Sequence, residues 1–387
     1  MPNYRAPGIY VEEVATGPRP IGAVGTSTAA FVGRAPNLKA FVNEPRALNN
    51  WSEFLREFGG DTPKSTDLSH AVFGFFQNGG TRCFVVNVGE AKTLANGFAT
   101  LESLDEIAIV AAPGFSDAIT YQDLLTHCEK MDDRVAIFDP PENVPKIEQL
   151  LELAVPGKAA DKPTGGVAPP RSDKGLGAHY YPRIMVRDPL SDSTEPVLVA
   201  PSGHIAGIWA RTDASRGVFK APANEVIRGA LNVQRRVTPA EQEVLNPAGV
   251  NCIRFFPTEG IRVWGARTNA LEASEWKYLP VRRTFNMIKE SIQQGTSYAV
   301  FEPNDRPLWR DLVRDVSAFL RTLWRDGALM GRTPDEAFFV QCDEETNPPE
   351  SIDQGRVIIK VGIAPVKPAE FIVFRIGQYS GGAEIEV

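Results

Sequence analysis

The sequence predicts a mixed α/β fold with a strand-like segment near each terminus. Three observations predict it. From Gly25 to about Val155, short apolar runs alternate with stretches of helical periodicity. Residues 306–327 read as one long amphipathic helix between Asp305 and Gly327. The two ends, residues 7–14 and 370–387, are β-prone and punctuated by glycine or proline.

Residues 1–22 form an extended arm rich in Pro and Gly, whose β-prone run includes Ile9, Tyr10 and Val11. Residues 28–33 read as a buried strand ending at a glycine. Trp51, Phe54, Leu55 and Phe58 have helical spacing. Asp67 is the candidate N-cap of a helix with Leu68, Ala71, Val72, Phe75 and Phe76 on one face, closed by Asn78, Gly79 and Gly80. Residues 83–88, 107–111 and 134–138 are further strands, and 121–131 and 144–153 are helices. Residues 156–177, dense in Pro, Gly and Lys, read as an exposed loop. A strand follows over 180–186, then a helix capped by Ser202 and carrying Ile205, Ile208 and Trp209, then strands over 250–256 and 260–265.

In the long helix, Asp305 is a candidate cap and Pro307 suits the first turn. Leu308, Leu312, Val316, Phe319, Leu320 and Leu323 make a broad apolar face, with Arg310, Arg314, Arg321 and Arg325 opposite. The usual meaning of such a pattern is a core-packed helix with a solvated basic face. In residues 371–376 every residue but Arg375 is apolar, which suits a strand buried on both faces. After Ser380, Gly381 and Gly382, the run Ala383, Glu384, Ile385, Glu386, Val387 alternates apolar and charged. Such a strand must pair with a sheet, and the glycine hinge lets that sheet belong to another molecule. A chain with a strand of this kind at each end points to a polymer.

The chain has 387 residues, 43% hydrophobic and 23% charged, so it can bury a large core in two or three domains. A net charge of −7 and the absence of a dense basic run argue against nucleic acid as partner. No apolar stretch has the length of a membrane span, and the first residues lack a signal-peptide core, so the expectation is synthesis in the cytosol without membrane insertion. Cys83, Cys128, Cys252 and Cys342 are scattered and read as small core residues.

Candidate chemistry is thin. The glycines of residues 74–81 have phosphate-loop spacing, but Gly80 stands where the lysine belongs, at a helix end rather than a helix start. His70, His127, His179 and His204 are too far apart for metal-ligand spacing. Ser202, His204 and Asp213 contain the ingredients of a triad without its elbow, and a cap plus a core histidine is the simpler reading. Asp343, Glu344 and Glu345 read as a solvated loop. No catalytic, cofactor-binding or metal-ligating residue is assigned.

Several segments resemble the contractile tail sheath proteins of phage tails, R-type pyocins and related injection systems. They are residues 7–13 and 24–33, then 200–207, 211–213, 220–224, 245–251 and 262–268. Toward the end come 281–283, 301–304, 331–340 and 363–371. Each fragment is weak alone, and their order is specific. The resemblance implies an N-terminal exchange arm over 1–24, an outer α/β domain over 25–265 with its loop at 156–177, and a conserved inner domain over 266–387. Neighbouring subunits would exchange strands through Ile9, Tyr10 and Val11 and through Ala383, Glu384, Ile385, Glu386 and Val387. The implied partners are the chain itself in hexameric rings, an inner tube protein, a baseplate and a terminal cap protein. Arg310, Arg314, Arg321 and Arg325 become the candidate inner-tube contact. The implied function is a structural sheath, metastable when extended and driven by contraction, with no cofactor. It would be assembled in the bacterial cytoplasm and carried in a phage tail or phage-tail-like particle, including particles released outside the cell. A cytosolic α/β enzyme with unrecognised motifs and a non-contractile structural polymer stay open as alternatives.

Overall fold

The apolar runs of the first half become the parallel strands of one sheet. The computed structural model describes residues 20–61, 63–156 and 165–374. Strands β1 (Ala29–Gly33), β3 (Cys83–Asn87), β4 (Ile109–Ala111), β5 (Val135–Phe138) and β6 (Gly177–Tyr181) are buried at every position. That is the pattern of parallel strands covered on both faces. The edge strand β2 (Arg46–Leu48) pairs antiparallel with β3. Residues 180–186 do not form one strand, because β7 (Ile184–Val186) leaves the main sheet to pair with β8 (Val197–Val199). After β9 (Glu225–Val226), strand β10 (Ala230–Val233) completes that small antiparallel sheet on the other side of β7. The main sheet resumes with β11 (Val250–Phe256), parallel to β6, and β12 (Gly260–Trp264), antiparallel to β11. Its full order is β2-β3-β1-β4-β5-β6-β11-β12-β9.

Helices cover the faces. The first, α1 (Trp51–Phe54), continues as a π-helical turn over Leu55–Gly59. Helix α2 (Asp67–Gln77) is capped by Thr66, not Asp67: the Thr66 hydroxyl accepts from Ser69 N–H, and Ser69 Oγ accepts from Thr66 N–H. After α3 (Ala95–Ala99) and α4 (Ala118–Met131), helix α5 (Ser202–Arg216) crosses α2 at backbone contact. A Cβ on Gly203 would lie 2.2 Å from Ala71 O, and one on Gly207 would lie 2.5 Å from Phe75 O. This approach buries α5 on all sides from Ser202 to Ala210, where periodicity suggested one apolar face. Ser202 is inside the helix rather than its cap, with its N–H and hydroxyl both bonded to Asp139.

A second core lies apart from the sheet. After α6 (Pro239–Leu245), the long helices α7 (Leu279–Gly295) and α8 (Arg306–Arg325) pack with a two-stranded ribbon, β13 (Phe338–Gln341) and β14 (Lys360–Ile363). Met287, Ile288, Val316, Phe319, Leu320, Leu323, Leu329 and Ala337 fill this core, and Ile21, from the other end of the chain, is buried in it. Asp305 caps α8 by accepting from Leu308 N–H, and the predicted apolar face is the buried one.

Three further expectations are corrected. Residues 144–153 give only a 3-10 turn, Ile147–Leu151. The described part of the predicted loop 156–177 is not an exposed loop: Val167, Ala168 and Leu176 are buried at 3%, 6% and 0% exposure. Leu153 bridges to Ala168, so apolar side chains override the Pro/Gly density there. Phe371, Ile372, Val373 and Phe374 are not a buried strand, being 74–82% exposed and outside any sheet. An apolar run states that a segment can be buried, not that its own chain supplies the cover. Ile9, Tyr10, Val11, Ala383, Glu384, Ile385, Glu386 and Val387 lie outside the described residues.

Candidate assembly interface

Both terminal segments meet the body at a buried arginine. On α7, Arg283, Met287, Ser291 and Gly295 recur every four residues and so share one face. The N-terminal segment runs along that face. Arg283 holds Asp213 of α5 through Nη1–Oδ1 at 3.0 Å and Nη2–Oδ2 at 2.6 Å, and its Nη2 also donates to Thr26 O at 3.0 Å. Thr26 Oγ1 donates to Asp213 Oδ2 at 2.6 Å. The two ion-paired side chains are 3% and 6% exposed, and the guanidinium lies 4.7 Å from the Trp209 ring centroid. Two turns on, Val24 N–H donates to Ser291 Oγ at 3.0 Å. At the end of the helix, a Cβ on Gly295 would stand 2.7 Å from Ile21 Cγ1. Gly295→Val is therefore expected to push Ile21 out of the second core. The cost is about 1–3 kcal/mol, read as a lower urea midpoint.

The C-terminal segment is pinned twice. Val366 N–H donates to Ala328 O at 3.2 Å, and four residues on Glu370 closes a fork on Arg267, Nε–Oε1 at 2.9 Å and Nη2–Oε2 at 2.7 Å. Asn246 and Tyr278 also donate to that carboxylate. Burial pushes the Glu370 carboxyl up, but the Arg267 hydrogen bonds and charge outweigh it and hold the group below the usual range. Between this segment and the body runs a groove of 950 Å³, lined by Phe219, Pro239, Trp264 and Ala266 among others. The exposed run Phe371–Phe374 begins at its end.

The ribbon β13–β14 has only two strands, so each has an outer edge with no ladder partner among the described residues. Phe339 and Val361 are 59% and 37% exposed on it. On α8, Arg310, Arg314, Arg321 and Arg325 are all exposed and fall on one stripe of the helix. Arg314 is tied to Asp311 and Asp315 at 2.7 and 3.0 Å, whereas Arg310, Arg321 and Arg325 make no ion pair among the described residues. Phe301, in the loop before α8, is fully exposed with a left-handed backbone, φ 70°.

The residues weighed for catalysis do not converge. Ser202 Oγ is spent on Asp139, a carboxyl that burial raises to about 6 against the Ser202 and Gly114 bonds. His204 is buried and its ring nitrogens have no hydrogen-bond partner among the described residues; burial pushes it down to about 3. Asp213 belongs to Arg283. The position of Gly80 is filled by packing, since a Cβ there would lie 2.3 Å from the Phe75 ring. All four cysteines are free and buried. Among the described residues no group of three His, Cys, Asp or Glu could hold a metal ion, and no helix is long and apolar enough to cross a membrane. Sequence reasoning placed no role on Arg267, Arg283, Asp213, Glu370, Ser291 or Gly295. A signal was available in the arginine pair Arg282–Arg283 inside an otherwise core-facing helical stretch.

The chain was compared with known proteins. The phage tail sheath protein central domain matches residues 83–269, and the phage tail sheath C-terminal domain matches residues 272–378. A chain of the anti-feeding prophage (AFP) baseplate, solved by cryo-EM, is 32% identical with a TM-score of 0.77, covering 97% of this chain and 99% of that one. The sheath complex of the PVC extracellular contractile injection system in its contracted state is 30% identical with a TM-score of 0.77, covering 98% and 99%. A putative prophage major tail sheath protein of Pseudomonas aeruginosa (strain UCBPP-PA14) is 30% identical over 206 residues, 50% of this chain and 49% of that relative. The match to the tail sheath protein of Vibrio phage KVP40, at 27% identity, spans 27% of that protein. The chain thus spans half or less of these two relatives' length. It belongs to the phage tail sheath protein family, a family of structural proteins of contractile particles.

Proposed function

We propose that the chain is the sheath subunit of a contractile injection machine. It polymerises in hexameric rings around an inner tube, held extended in a metastable state, and contracts to drive the tube through a target envelope. The observation that carries this reading is the juxtaposition of two anchored arm roots with a ribbon whose two outer edges have no ladder partner among the described residues. A two-stranded ribbon is marginal alone, and β-strands added from neighbouring copies at residues 9–11 and 383–387 would complete it. The second core supports the assignment of the inner domain to 1–24 together with 266–387, because Ile21 is buried there among residues 287–337, with Val218 the one buried member from 25–265 among the described residues. The sheet-centred part within 25–265 is then the outer domain. Head-to-tail contacts of this kind build an open helix, and subunits that move as rigid bodies can change its pitch without breaking the exchanged strands. A terminal cap and a baseplate would bound the polymer.

Negative-stain electron microscopy of the purified chain tests this. Hollow tubes with helical striations are expected; dispersed particles, both alone and with a co-expressed tube protein, would overturn it. The stripe Arg310, Arg314, Arg321, Arg325 is the proposed grip on the inner tube. Exposed ion pairs of this kind contribute about 0–1 kcal/mol each, weak enough to release. Since Arg314 is occupied within the helix, the informative variant is Arg310→Glu with Arg321→Glu. It is expected to reduce loading onto tubes by about tenfold while leaving self-assembly intact. Unchanged loading would remove α8 from the tube contact.

A further inference from the structure

Taking the sheath reading as its premise, we propose that Arg267 and Arg283 are positioning residues for strand exchange: Arg267 fixes the point from which the C-terminal arm leaves the body, and Arg283 fixes the N-terminal segment just inside its last buried contact, Ile21. Both side chains are nearly inaccessible, at 5% and 3%. Each grips a carboxylate with two nitrogens, and each grip engages a terminal segment. Arg283 and Asp213 both bond Thr26, and from there the segment follows α7 through the Val24–Ser291 bond to Ile21, with Gly22, Ala23 and Gly25 exposed between these contacts. Arg267 bonds Glu370, and the chain is exposed from the next residue, Phe371.

The two grips sit on one stapled unit. Thr268 N–H donates to Lys277 O at 2.9 Å and Leu279 N–H to Ala266 O at 3.0 Å, which closes a turn directly onto the start of α7. Arg283 follows on that helix's first turns. A pull on either arm is therefore resisted by the same rigid element. Apolar contacts are non-directional and can slide. A forked, charge-assisted pair holds one geometry. A buried ion pair is a weak device for stability, since a well-packed apolar pair of similar volume is often as good. It is a strong device for position, and position is what a root needs while subunits rotate against one another.

The test uses the C-terminal root. Because the native cysteines are buried, a nitroxide placed through Ile372→Cys reports the segment selectively by electron paramagnetic resonance. The groups facing Glu370 are Arg267, Lys277, Tyr278 and Asn246, with Glu272 beyond Arg267. With its folded carboxyl held low by Arg267, the grip is complete above the unfolded Glu value and is lost as pH falls through the folded one. The labelled chain is expected to be restrained at pH 7 and to loosen only as pH falls below the ordinary Glu range. Adding Glu370→Gln is expected to make the label about tenfold more mobile at pH 7 and to remove the pH step. Glu272→Gln, which touches Arg267 but not the arm, leaves both unchanged. Equal mobility with Glu or Gln at 370 and a flat profile would overturn the proposal. The same Glu370→Gln chain is expected to assemble more slowly than wild type. If wild type forms no tubes either alone or with a co-expressed tube protein, the sheath reading fails, while the label on the subunit still decides the clamp.

Discussion

Asp213→Ala is expected to destabilise the folded chain by about 3–5 kcal/mol, the cost of stranding a buried arginine. Arg283 is 3% exposed and has no second carboxylate among its ion pairs; its other contacts are Thr26 O and the Trp209 ring. Removing Asp213 also leaves Thr26 Oγ1 without its acceptor. Urea unfolding followed by far-ultraviolet circular dichroism reads the effect as a lower midpoint at constant slope. A loss below about 1 kcal/mol would mean that water reaches the guanidinium, contrary to its burial. The double change Asp213→Leu with Arg283→Met separates two roles. Replacing both charges by apolar side chains is expected to recover most of the stability. It does not restore the bonds to Thr26, so the N-terminal segment stays loose and assembly stays impaired.

What the sequence disclosed was set by the range of each interaction. Helix α8 was legible because its cap, first-turn proline, apolar stripe and closing glycine all lie within one segment. Strands β11 and β12 were legible to within a residue for the same reason. The division of residues 180–186 between two sheets was not, because it depends on partners at 197–199 and 230–233. The clamps show the limit most clearly. Thr26, Asp213, Arg267, Arg283 and Glu370 all fall within the segments whose order carried the family resemblance, so their positions were marked. Their pairing was not marked, since Arg283 lies 70 residues from Asp213 and 257 from Thr26. The Arg282–Arg283 pair inside an apolar helical stretch hints at burial, but nothing local names the carboxylate that Arg283 will meet. The apolar run at 371–374 failed differently: its composition reports a need for cover, and the described residues do not supply the cover.

Removing residues 381–387 is expected to abolish polymer growth while leaving the subunit folded. Among the described residues the cores are built from residues 21–337. What the deletion removes is the strand proposed to pair with a neighbour's ribbon. The acceptor is prepared for it. In β14, Gly362 leaves a flat patch that the Phe339 ring of β13 covers, since a Cβ there would lie 2.1 Å from that ring. This cross-strand cover adds to the packing of the ribbon against α8. Among the described residues its outer edges carry unpaired backbone groups, which soluble proteins normally protect. Four or five added ladder bonds at about 1 kcal/mol each correspond to a factor on the order of a thousand in association. Ile385→Asp, which puts a charge on the apolar side of the alternating run, is expected to act in the same direction with a smaller effect. Sedimentation and electron microscopy compare the three chains at equal concentration. A normal polymer from the truncated chain would exclude exchange through the C-terminal strand. It would leave the ribbon's edges to the N-terminal segment at residues 9–11, which the matching deletion of residues 1–19 would then have to disable.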